Sequence, residues 1–169
     1  HIGVGGERAN IGQTWPVINE VLTVSTIPAG FSEEDGNRSW QRGDNADVLT
    51  IRGSGLNLAL SIEFVDGNGN LIQSTDVVGL PPRVMSLRNS VEVSVLAPGV
   101  SMRKWNDPNI IDDRDGYEIQ IRPVDFGINA NELFDSQAGT NPDSRRRVVI
   151  RTPFGTAIAP PNSYLFIQN

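Results

Sequence analysis

The chain has 169 residues, 38% of them hydrophobic and 20% charged, a content that suits one domain with a core. Its 14 Lys and Arg against 20 Asp and Glu give a net charge of −6, which argues against nucleic acid or an anionic membrane as partner, because both are held by cations meeting phosphate. The lack of Cys excludes disulfides and thiolate metal sites, and no apolar run approaches the ~18 residues of a membrane helix, so no membrane insertion is expected.

A first residue of His is what a processed leader or a trimmed chain would leave. Residues 1–19 (HIGVGGERANIGQTWPVIN) are Gly-rich and weakly patterned. They read either as a flexible leader or as an extended arm that adds a strand to another subunit's sheet edge. In the second reading Val4, Ile11, Trp15 and Val17 are its anchors. Residues 21–27 (VLTVSTI) are rich in β-branched side chains and predict a strand, stopped by Pro28-Ala29-Gly30. Residues 31–47 predict a long polar loop, with Trp40 as the side chain that pins it.

Residues 47–56 alternate, with Leu49 and Ile51 inward and Thr50 and Arg52 outward, and the strand breaks at Gly53 and Gly55. Residues 60–64 alternate again, with Ile62 and Phe64 inward and Ser61 and Glu63 outward. Asp66-Gly67-Asn68-Gly69-Asn70 before Leu71-Ile72 is a hairpin signal. Residues 77–85, with Gly79 and Pro81-Pro82, read as a connection. Residues 90–96 give the clearest alternation: Val91, Val93 and Val95 on one face, Glu92 and Ser94 on the other. Residues 101–115 read as irregular, and 117–122 as a strand with Tyr117, Ile119 and Ile121 inward. Residues 129–136 suit a helical turn or two with an Asn cap, and 137–144 a loop. The last strands fall at 147–152 and 163–167. Seven or eight short strands separated by turns, with no helix-period segment of useful length, imply an all-β antiparallel sandwich.

Val48-Leu49-Thr50-Ile51-Arg52-Gly53-Ser54-Gly55-Leu56 resembles the "vtItGsgf" strand and turn of IPT/TIG domains, an immunoglobulin-like family. Three further pieces fall in the family's order. Ile27-Pro28-Ala29-Gly30 resembles "isPtsG", Ile62-Glu63-Phe64 resembles "vkfgg", and residues 148–157 resemble "vtVtTpgGts", with Tyr164-Leu165-Phe166 as closing strand. Phe154 stands where the family often has Gly, and no piece falls between residues 73 and 144. Such sandwiches run to about 100 residues. The resemblance therefore implies a domain over 20–169 with insertions near 31–47 and 101–141, behind an N-terminal arm over 1–19. It implies roles in adhesion, extracellular assembly or accessory binding, and no catalytic residues.

Candidate chemistry is sparse. A copper site built on His1 would need a second His, which the chain lacks, and no Cys or further His can serve a nucleophile. Gly53-Ser54-Gly55 lacks the flanks of a nucleophile elbow. Asp107, Asp112, Asp113 and Asp115 are the candidate calcium ligands, against a solvated acidic loop with Arg114 inside it. Arg145, Arg146 and Arg147 are candidates for pairing with acidic groups of a neighbouring subunit. Trp40 and Trp105 are candidate sugar-stacking platforms, against a role as local packing under long loops. The expectation is a non-catalytic structural subunit of an extracellular or cell-surface assembly, such as a filament, a surface layer or a virion appendage, which self-associates through arm and loops. It needs no cofactor beyond the candidate calcium. The alternatives are a carbohydrate-binding or adhesion module with a glycan partner, and an accessory domain of a larger secreted enzyme.

Overall fold

The computed structural model describes residues 15–24, 37–41, 47–66, 84–106, 116–122, 146–160 and 163–168. These contain the strands β1 (Val17–Leu22), β2 (Asn37–Gln41), β3 (Leu49–Ser54), β4 (Ser61–Asp66), β5 (Val84–Ser86), β6 (Val100–Lys104), β7 (Gly116–Ile121), β8 (Arg146–Thr152), β9 (Gly155–Ile158) and β10 (Tyr164–Gln168), with a 3-10 turn at Leu56–Leu58. One sheet has the order β1-β3-β7-β6. The other runs β2-β10-β8-β4-β5, with β9 hydrogen-bonded to β8. All pairings are antiparallel except β10 with β2. The fold is an all-β, immunoglobulin-like sandwich.

Alternation explains the core. Leu49, Ile51, Ile119 and Ile121 from the first sheet and Ile62, Phe64, Val148 and Ile150 from the second are buried in one cluster. Burying each such side chain stabilises by about 1.5–3 kcal/mol, which is why period-two segments settle face to face. Trp40 and Leu165 close the cluster at the β2 side, and the Trp40 and Phe64 rings lie 6.0 Å apart, tilted by 33°.

The structure corrects several expectations. The first strand is Val17–Leu22, not 21–27, so it starts inside the expected arm. The expected loop 31–47 contains β2, because Trp40 fills the core and β10 supplies a parallel ladder. The expected insertion 101–141 begins on framework: β6 and β7 pair along five positions. Residues 84 and 85, expected in a connection, form β5 with Ser86 against β4.

The clearest sequence alternation, 90–96, is not a strand. The Asn89 side-chain oxygen accepts hydrogen bonds from the Val91 and Glu92 N–H groups, at 2.9 and 3.1 Å. The Asn89 N–H donates to the Val95 carbonyl at 2.7 Å, closing a tight turn. Val91, Val93 and Val95 consequently stand 93%, 69% and 45% exposed. Arg88 fastens the base of this turn, donating to the Ala59 and Asn57 carbonyls, each at 2.8 Å. The hairpin at 66–70 lies mostly, and the helical turn at 129–136 wholly, outside the described residues.

Two glycines seat β1. A Cβ on Gly53 would collide with the Val17 carbonyl, and one on Gly55 would stand 2.7 Å from the Trp15 carbonyl. Gly55 also has φ +70°, the left-handed region that glycine tolerates without a Cβ penalty. Residues 15–18 thus lie on this chain's own β3 turn.

Candidate functional site

The outer face of the first sheet carries the most organised polar chemistry among the described residues. Glu20 on β1 is registered with Arg52 on β3, Arg52 with Glu118 on β7, and Glu118 with Arg103 on β6. The sequence reads Arg52, and by alternation Glu118, as outward strand positions, while Glu20 falls just before the expected first strand and Arg103 in a stretch expected to be irregular. Register turns them into one row of alternating charge across four strands.

Glu118 is the centre of that row. Its side chain is fully buried, although it points away from the core. Arg52 Nε and Arg103 Nε each donate to one of its carboxylate oxygens at 2.7 Å, and Gln120 Nε2 donates at 3.1 Å. Burial pushes the Glu118 carboxyl up, but the hydrogen bonds from Arg103 and then Arg52 outweigh it and hold the group below its ordinary range. The Arg103 guanidinium is raised in turn, chiefly by its hydrogen bond to Glu118. Arg52 also reaches Glu20 at 3.5 Å and lies 4.6 Å over the Trp105 ring. At one end of the face, Val48, Gly99, Val100, Ser101, Gln120 and Arg122 line a concavity of about 260 Å³.

The second sheet has a smaller counterpart. Glu63, registered beside Val149, is buried and takes a two-pronged ion pair from Arg151, whose Nη2 lies 3.4 Å from Oε2. This raises the Arg151 guanidinium, through its hydrogen bond to Glu63 first and the charge of Glu63 second.

The sequence candidates fare unevenly. Trp40 is 1% exposed and its Nε1 donates to the Asp47 carbonyl at 2.9 Å, so it is a core residue and no sugar platform. It does pin its segment, as expected of it. Asp47 is the hub there, since its Oδ1 accepts from the Val24 N–H at 3.0 Å. Trp105 has one ring face taken by Arg52, which halves what a sugar could stack on. Trp15 and Val17 lie at β1 and are 57% and 45% exposed, while the Trp15 ring packs beside Gly155. Arg146 and Arg147 belong to β8, and Arg147 donates to the Ala159 carbonyl of its own chain. Val4, Ile11, Arg145 and the calcium candidates Asp107, Asp112, Asp113 and Asp115 lie outside the described residues. Among the described residues, no three His, Asp or Glu side chains gather as a metal-ligand set, and no helix is long and apolar enough to cross a membrane.

Scans of protein-family models and of curated proteins give no match. The resemblance to IPT/TIG domains therefore stands on its four short segments alone.

Proposed function

We propose that this chain is a non-catalytic structural module of an extracellular or cell-surface assembly, and that it associates with copies of itself. The observation that carries the reading is the turn at 89–95. Val91 and Val93 are largely exposed there, yet hydrogen bonds through Asn89 and Arg88 fix the turn in one conformation. Apolar side chains held rigidly in water lose little entropy on being covered, so they suit a contact surface. The buried carboxylate Glu118 favours the same reading, because Arg103 and Arg52 hold it as ionised framework and leave it poorly suited to proton transfer. The placement outside the cell rests on the resemblance to IPT/TIG domains.

The test is the mass of the purified chain across a hundredfold concentration range by light scattering and sedimentation, with electron microscopy of the concentrated sample. Growth in mass with concentration supports the reading. A strict monomer throughout overturns it.

A further inference from the structure

We infer that the first sheet continues from one copy of the chain into the next, with β6 of one copy pairing with β1 of its neighbour so that Arg103 meets Glu20. This rests on the self-association proposed above and adds a second contact to that of the valine turn.

Three observations converge. The first is charge. The row Glu20–Arg52–Glu118–Arg103 begins with an acid at one edge and ends with a base at the other. A neighbour in the same orientation would place its Glu20 beside Arg103, and the alternation would run on unbroken. Both residues are accessible, with side-chain exposures of 42% for Glu20 and 66% for Arg103.

The second is direction. The sheet has four strands, each antiparallel to the next. With an even number, the two edge strands run opposite ways. A copy added by translation, with the usual sheet twist, therefore meets the edge antiparallel, as every internal pair does.

The third is hydrogen-bond parity. Trp105 N–H donates to the Gly116 carbonyl, and Arg122 N–H to that of Gly99. Both belong to the β6–β7 register. In an antiparallel ladder the bonded pairs alternate. Ser101 and Arg103 therefore turn their backbone groups toward β7, while Met102 and Lys104 turn theirs outward. The same alternation carried through β3 turns the Glu20 and Leu22 groups inward and those of Val21 outward. When Arg103 faces Glu20 of the neighbour, Met102 faces its Val21, and outward groups meet outward groups. A shift by one residue would lose this match. The Arg103–Glu20 pair then occupies a non-hydrogen-bonded site, where side chains approach most closely. The bulge between Ile18 and Glu20 ends the usable edge there, so the contact is short, spanning Glu20–Leu22 against Ser101–Arg103. Because the two edges differ, the contact is head-to-tail and leaves open ends.

Two variants of the full chain test this by sedimentation and light scattering. Met102→Pro removes the outward N–H that faces Val21 of the neighbour and puts ring carbons in the path of the incoming strand, while Ser101 and Arg103 keep their bonds to β7. Glu20→Lys sets a cation opposite Arg103. Each variant alone should associate at least tenfold more weakly than wild type. Mixed one to one, they should form dimers that grow no further, since only one intact β6 edge and one intact β1 edge can meet. Amide exchange of Met102 in the wild type provides a measurement independent of both variants, and should slow at least tenfold on association. Wild type that associates with neither variant affected and Met102 exchange unchanged overturns the inference but spares self-association. Folded variants that stay monomeric when mixed, while wild type associates, also overturn it. A wild type that is monomeric throughout overturns both readings.

Discussion

Glu118→Gln is the most informative single change. The carboxylate is fully buried and accepts 2.7 Å hydrogen bonds from Arg52 and Arg103. Glutamine keeps the shape but offers only one oxygen, so one arginine must face an amide N–H. Breaking a buried ion pair by removing one partner costs about 3–5 kcal/mol. Here the figure is discounted, because Arg103 is 66% exposed and can return to water, whereas Arg52 is only 24% exposed. The expected loss is about 2 kcal/mol, or about 4–8 °C in melting temperature for a domain of this size. Urea unfolding should show a lower midpoint with an unchanged slope. The effect has a pH signature with a definite sign. The Glu118 carboxyl is held below its ordinary range, so the ladder's stability is full above that range and is lost as pH falls through the depressed value. Wild type and variant should therefore converge in stability as the solution is acidified below about pH 4, the ordinary carboxylate value. A midpoint shift worth less than about 0.5 kcal/mol at pH 7 would refute the claim that the ladder holds the sheet together.

Other changes probe the frame and the turn. Gly53→Ala should cost about 2–3 kcal/mol, because the new methyl meets β1 backbone, the Ile18 Cα being 3.1 Å away, and not a side chain that can swing aside; a melting temperature equal to wild type would count against that seating of β1. Trp40→Phe should cost about 1–3 kcal/mol by removing the indole's hydrogen bond to the Asp47 carbonyl and part of its buried ring, and loss of a blue-shifted emission component would identify the buried indole. Val91→Ser with Val93→Ser should leave stability within about 0.5 kcal/mol while weakening self-association, read from the denaturation midpoint and from sedimentation.

Much of the frame was legible in the sequence, for a physical reason. Alternation is a claim about burial, and it holds where a facing sheet exists to do the burying. Leu49 with Ile51, Ile62 with Phe64 and Ile119 with Ile121 all found that partner. Val91, Val93 and Val95 show the same period with no strand opposite among the described residues, and Asn89 drew the local N–H groups into a turn instead. β2 hid for the converse reason. NRSWQ carries one large apolar side chain, and its strand exists because β10, more than a hundred residues away, pairs with it. The charged row was invisible as a row. Arg52 reads correctly as outward, but only register tells that Glu20, Glu118 and Arg103 lie beside it.

The charge balance that first argued against polyanions also sets how such a chain can meet itself. Copies with a net charge of −6 repel. If the first sheet continues between them, their centres are separated by about four strand spacings, or roughly 19 Å. The Debye length is about 30 Å at 0.01 M salt and about 10 Å at 0.1 M. Repulsion between whole copies is therefore felt at the lower salt and largely screened at the higher. The Arg103–Glu20 contact, at ion-pair distance, lies inside the Debye length in both and loses strength only near 1 M, where that length falls to about 3 Å. Association should then rise from 0.01 to 0.15 M salt and fall again toward 1 M. Sedimentation across that series reads the result directly. A steady fall from the lowest salt upward would mean that attraction between separate charged patches dominates, and a steady rise up to 1 M would mean that apolar contact does. Either outcome would remove the ion pair from the centre of the interface.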